Sequence, residues 1–157
     1  MQGTAPGVFA PYTLVTRAMV VTTLHRYAQL PPPNSINPFS DVADGQWYTD
    51  AITWASENGI VLGYGDGLFG PNDTITREQF ITILMRFANF TGIDTAAEAD
   101  LSGFTDAGTI SEYAVNAVTW GYAAGLMLGD SETTLSPTGP ATRAMLATIL
   151  MRFIMNV

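Results

Sequence analysis

Apolar side chains recur at three- and four-residue spacing in Phe80, Ile83, Leu84 and Phe87, the period that puts them on one face of a helix. The same stripe returns in Leu146, Ile149, Leu150 and Phe153, and in more polar form in Val20, Thr23, Leu24 and Tyr27. Each is entered through a Thr-Arg pair (Thr16-Arg17, Thr76-Arg77, Thr142-Arg143) and left through an Arg and an aromatic residue (Arg26-Tyr27, Arg86-Phe87, Arg152-Phe153). Thr76 stands where an N-cap is needed, and Gln79 three residues on predicts a capping box. A second type of helix is predicted from about Trp47 to Asn58, with Ala51, Ile52, Trp54 and Ala55 inward and Gly59 as its stop. Ala117-Val118-Thr119-Trp120 and Gly125 repeat it, with Tyr113 standing where Trp47 stood. Ile60-Val61-Leu62 reads as a short buried segment, and Ala96-Ala97-Glu98-Ala99 as a short helix.

These elements make an all-α chain of about two and a half repeats. Residues 39–89 and 104–157 are complete units, repeats 2 and 3, and residues 1–30 are the second half of repeat 1. Residues 31–38, opened by Pro31-Pro32-Pro33, and residues 90–103 connect them within a single domain, 1–157. Met1 aligns without a gap on Val61 and Met127, and Gly3 on Gly63 and Gly129, so Met1 is expected to be internal to a longer protein. Without a first helix in repeat 1, the stripe Val20, Leu24 and Tyr27 is expected to lack a covering partner and to offer a surface for a homodimer or a protein partner.

Composition then narrows the chemistry. A net charge of −8, with every cation an Arg, argues against nucleic acid and anionic membranes. There is no Cys, which fits export, and no apolar run long enough to span a bilayer. Met1-Gln2-Gly3-Thr4 has neither the basic flank nor the apolar run of a signal peptide. The lone His25 is replaced by Met85 and Met151 in the other copies, and no nucleophile has a base and acid at motif spacing. Asp66 and Asp73 do not have EF-hand spacing. No catalytic residue, metal site or cofactor is therefore expected.

The arginines carry the remaining signal. Arg26, Arg86 and Arg152 fall in last helical turns, where a cation complements the helix dipole. Arg17, Arg77 and Arg143 follow the N-cap, where a cation opposes the dipole by about 0.3–1 kcal/mol, so something besides helix stability selects them. Two explanations stand: pairing with Asp41, Asp106 or another loop carboxylate, or a bidentate grip on a ligand carboxylate.

Phe39-Ser40-Asp41-Val42, Trp47, Trp54-Ala55 running to Gly59-Ile60, the glycine-rich loop from Gly63, Phe69-Gly70-Pro71 and Thr76-Arg77 together resemble the bacterial S-layer homology domain. The likeness covers all but the connectors and the absent half-repeat. It implies an all-helical three-repeat module in pseudo-threefold arrangement, carried by exported proteins at the bacterial cell surface. It implies non-covalent binding to anionic secondary cell-wall polymers, notably pyruvylated ones, in grooves between repeats. Carried over position by position, it makes Arg17, Arg77 and Arg143 ligand contacts, and places Asp41 and Asp106 at the groove. Trp47 and Tyr113 can pack on a sugar face or in the core, and Gly63 and Gly129 suit close approach of a ligand or a helix. Trp54 and Trp120 read as core. The sequence departs from the family after Thr-Arg: Ala18-Met19 and Ala144-Met145 lack the usual polar residue, which puts the first and third sites in doubt and favours the second. The alternative function is a protein-interaction module with a degenerate glycan site.

Overall fold

The computed structural model describes residues 7–156; the expected alignment of Met1 and Gly3 with the later loops lies outside them. The chain is all-α, with helices α1 Arg17–Tyr27, α2 Thr49–Glu57, α3 Arg77–Phe90, α4 Val115–Ala123 and α5 Arg143–Asn156. Two short 3-10 turns, Ala107–Thr109 and Glu112–Ala114, precede α4. Among the described residues, extended pairing is confined to single-residue bridges, Leu14 with Thr142, Thr16 with Thr74 and Thr76 with Pro140.

The helix ends follow the chemistry of their residues. Thr76 accepts from the Gln79 N–H while the Gln79 side chain returns to the Thr76 N–H, the full capping box. Gly59 and Gly125 both take φ of +68°. There the Ile60 and Leu126 N–H groups reach back to the Ala55 and Gly121 carbonyls, the six-to-one bond of a Schellman stop. Helix α2 starts at Thr49, so Trp47 precedes it, and Tyr113 lies in the second 3-10 turn rather than in α4. Residues 96–99 are irregular: the Asp94 carboxylate takes the Ala96 N–H in a local turn, and so short an exposed stretch cannot offset helix nucleation. Of the expected buried segment, Ile60 and Val61 are buried and Leu62 is exposed.

Two compact units divide the chain, residues 16–74 and the remainder. In the first, α1 packs on α2. His25 lies against Trp54 with ring centroids 5.0 Å apart and its Nε2 is 2.8 Å from the Pro31 carbonyl. In the second, α3 packs on α4, where Gly121 gives close approach: a Cβ there would meet Ile81 Cγ1 at 2.5 Å. The buried Glu78 carboxylate accepts from the Ser111 N–H and hydroxyl and from the Tyr113 hydroxyl, tying the start of α3 to the turn before α4. Trp54 and Trp120 are core residues, as expected.

Helix pairing thus joins α1 to α2 and α3 to α4. This overturns the expectation that α1 is uncovered: Val20 and Leu24 are 0% and 1% exposed, and of that stripe only Tyr27 stands out in solvent. The open face belongs to α5. Positions Val21, Thr22 and His25 of α1, and Ile81 and Thr82 of α3, are buried, whereas their equivalents on α5, Ala147 and Thr148, are half-buried and Met151 is 52% exposed. Ile154 and Met155 extend that exposed strip.

Candidate functional site

Each early arginine is held by a row of alternate carbonyls. The carbonyls of Phe69, Pro71 and Asp73 accept from Arg17 Nε, the Ala18 N–H and the Arg17 N–H. Those of Leu135, Pro137 and Gly139 accept likewise from Arg77 Nε, the Glu78 N–H and the Arg77 N–H. Phe9, Pro11 and Thr13 do the same for Arg143 and Ala144. The row satisfies N–H groups that a helix start leaves without partners, and its carbonyl dipoles offset the cost of a cation there. Part of what selects these arginines is therefore structural, through backbone carbonyls.

A left-handed residue follows the first carbonyl in every row: Gly70 at φ +71°, Ser136 at +49° and Ala10 at +51°. The motif aspartates lock the turn. Asp41 accepts from the Phe69 and Gly70 N–H groups at 2.8 and 2.7 Å, and Asp106 from those of Leu135 and Ser136 at 2.9 and 2.7 Å. The Leu135 bond foremost, with help from Ser136, holds the Asp106 carboxyl below the usual carboxylate range. These aspartates shape the loop that receives the arginine.

The surroundings of the three arginines differ. The Arg17 guanidinium lies 4.6 Å from the centroids of both the Tyr64 and Phe69 rings, and the Tyr64 hydroxyl donates to Asp73. Burial and the Asp73 bond push the Tyr64 hydroxyl above its usual pKa. Arg143 sits 5.2 Å from the Phe9 ring centroid. At Arg77 the equivalent ring is replaced by Leu135, and the guanidinium instead reaches the Leu128 carbonyl at 2.7 Å and the Met145 sulfur at 3.7 Å. Arg77 is 7% exposed. Burial draws its guanidinium below its ordinary value, opposed by the charges of Asp130 and Asp106.

Arg77 lines a groove of ≈ 280 Å³ together with Leu128, Gly129, Met145, Ile149 and Arg152. Met145 therefore bears on the second copy's arginine: the loss of a polar residue after Thr142-Arg143 falls at the Arg77 groove. The polar counterpart Gln79 spends its side-chain oxygen on the α3 cap.

The remaining predicted residues divide. Gly129 lines the groove, and a Cβ there would run into the Ser131 carbonyl. Gly63, at φ +67°, is required by packing, since a Cβ would meet the Leu68 carbonyl and the Phe39 ring at 2.6 Å. Trp47 and Tyr113 are exposed rather than core. Trp47 is edge-on to Tyr48 at 5.1 Å, and Tyr113 bonds Glu78 and is not among the groove-lining residues. Sequence reasoning missed Asp130, whose carboxylate accepts from the Thr134 and Ser136 hydroxyls and is held below its usual range by them. It also set Arg152 aside as a helix-end cation. The clue to Asp130 was its register with Tyr64, which singles the second site out from the first.

The S-layer homology domain profile matches residues 38–81 and 103–145. The chain belongs to the S-layer homology domain family. It is 34% identical over its whole length to the surface-layer 125 kDa protein of Lysinibacillus sphaericus, covering 13% of that protein. It is 31% identical over 96% of its length to exoglucanase XynX of Acetivibrio thermocellus, covering 14% of it. Over 55% of its length it is 31% identical to the cellulosome-anchoring protein of Acetivibrio thermocellus, covering 20% of it. The chain thus spans a minor part of each relative. No helix among the described residues is long and apolar enough to cross a membrane, and no cluster of His, Cys, Asp or Glu there could hold a metal ion.

Proposed function

We propose that this chain is a non-catalytic module that anchors an exported bacterial protein to the cell surface by binding an anionic secondary cell-wall polymer. The observation that carries the reading is the setting of Arg77. It donates to the carbonyls of Leu135 and Leu128, which orient a guanidinium without cancelling its charge, and it lines an open groove. The remaining N–H donors suit a carboxylate such as that of a pyruvate ketal, and the apolar neighbours Met145 and Ile149 suit the carbon that bears it. Weak sites at Arg17 and Arg143 would add to this one by avidity on a repeating polymer. The enzymatic names among the relatives describe chains several times longer, and binding by this part is the function the family supports.

Co-sedimentation with Gram-positive sacculi tests the reading. Intact sacculi should retain the protein, and sacculi stripped of their secondary polymer by acid should not. Arg77→Ala should weaken retention, and added salt should weaken it further. Equal retention on stripped sacculi would overturn it.

One observation favours a second reading, a protein partner or homodimer. The exposed strip Met151, Ile154 and Met155 on α5 is an apolar surface of the kind that protein contacts use. This moves the interaction surface expected at the incomplete first repeat to the last helix. Retention insensitive to Arg77→Ala, with self-association lost on substitution of Met151, would favour it.

A further inference from the structure

We infer that Arg152 is a second ligand-binding residue of the Arg77 groove, so that the anionic group of the ligand is held between two guanidiniums. The inference rests on the polymer-binding reading above and adds the residue that sets its strength and selectivity. Arg152 lies one turn from the end of α5, and Arg77 begins α3; sequence spacing gives no reason to join them. The segment after α4 does so. Arg152 Nη1 donates to the Leu126 carbonyl at 3.3 Å, and Arg77 donates to the Leu128 carbonyl at 2.7 Å. Carbonyls two residues apart thus carry the two cations along one short stretch of backbone, and both side chains line the same groove.

The remaining lining, which includes Leu126, Leu128, Met145, Thr148 and Ile149, contains no carboxylate. The Leu126 and Leu128 carbonyls return part of the hydration the two guanidiniums lose, and Asp130 and Asp106 bear on Arg77 from outside the lining; within the groove itself an anion would gain from both cations at once. Each arginine is anchored by only part of its donor set, Arg152 by a single long bond, so donors remain for a shared acceptor. A carboxylate on an apolar carbon fits this arrangement: two oxygens for two forks, and a hydrocarbon base against Met145 and Ile149. The Thr148 hydroxyl is the polar neighbour available to a sugar hydroxyl. Helix-dipole stabilisation, the ordinary use of a cation at a helix end, predicts none of this convergence.

The test is calorimetric titration of the protein with polymer released from sacculi and fractionated to short lengths, which limits avidity. Arg77→Gln, Arg152→Gln, Arg152→Lys and the exposed Arg26→Gln are compared, with helical circular dichroism and Tm confirming that each is folded. Arg152→Gln should lower affinity about tenfold or more, the range of one lost charge-assisted bond. It should also flatten the salt dependence; Arg152→Lys should recover only part of the loss, and Arg26→Gln should match the parent. Loss on Arg77→Gln with parental affinity for Arg152→Gln would overturn the inference and leave the polymer reading standing. Parental affinity in both, or no binding by the parent, would overturn both.

Discussion

Asp106 and Arg77 hold the two ends of one residue: the carboxylate takes the Leu135 N–H at 2.9 Å, and Arg77 Nε donates to the Leu135 carbonyl at 3.0 Å. Asp41 and Arg17 grip Phe69 in the same way. The aspartate and the arginine of the motif are therefore coupled through the backbone of a single residue. Asp106→Asn keeps the shape but can offer only one oxygen to the two N–H groups of Leu135 and Ser136. We expect a lower Tm and, through a less constrained Leu135 carbonyl, weaker retention on intact sacculi. Weaker retention with an unchanged Tm would place Asp106 on the ligand instead.

Acid should undo the same lock. Asp106 and Asp130 both titrate below their ordinary value of 3.8 in the fold, since each accepts bonds that favour the ionised form. A depressed folded value means that the contribution is fully present above the unfolded pKa and is lost as pH falls through the folded one. Tm should therefore hold level above about pH 5 and decline below it. In Asp106→Asn the acid decline should be shallower. Parallel acid profiles for parent and variant would count against the assignment.

The left-handed residue in each carbonyl row makes opposite predictions at two equivalent sites. At Gly70 an added Cβ would meet the Tyr64 ring at 2.6 Å and press on the Asp73 carboxylate, on top of the positive φ. Gly70→Ala should cost about 1–3 kcal/mol. Ala10 already carries a Cβ at φ +51°, so Ala10→Gly relieves backbone strain while adding freedom to the unfolded chain. A net gain of about 0.5 kcal/mol is expected. Denaturant midpoints for the two variants check both signs, and destabilisation by both would show that the residue at this place does more than take a left-handed turn.

What could be read from sequence was local. Gly59 and Gly125 end helices with a conformation their missing Cβ permits, and Thr76 with Gln79 closes a capping box between neighbours in the chain. Trp54 and Trp120 lie on apolar stripes whose period announces burial. What escaped depends on contacts across long stretches of chain. The acceptors of Arg77, Leu135 and Leu128, are backbone carbonyls, which every residue has, so no residue type marked them. The helical period of α5 is the same as in α3, yet α3 is covered by α4 while the corresponding face of α5 stays open. Periodicity tells which face is apolar and is silent about which neighbour covers it.

That open face can be tested directly. Met151 and Ile154 are more than half exposed, so replacing both with Gln removes little buried area and should change stability by no more than about 0.5 kcal/mol at each site. By contrast Ile81→Ala, at a buried position of α3, should cost about 2–5 kcal/mol. The double α5 variant should also bind less of an apolar dye and show less self-association in sedimentation velocity, because it removes most of the exposed apolar strip. A loss of several kcal/mol in that variant would mean that the face is covered in solution, by a second copy if the loss depends on protein concentration and within one chain if it does not.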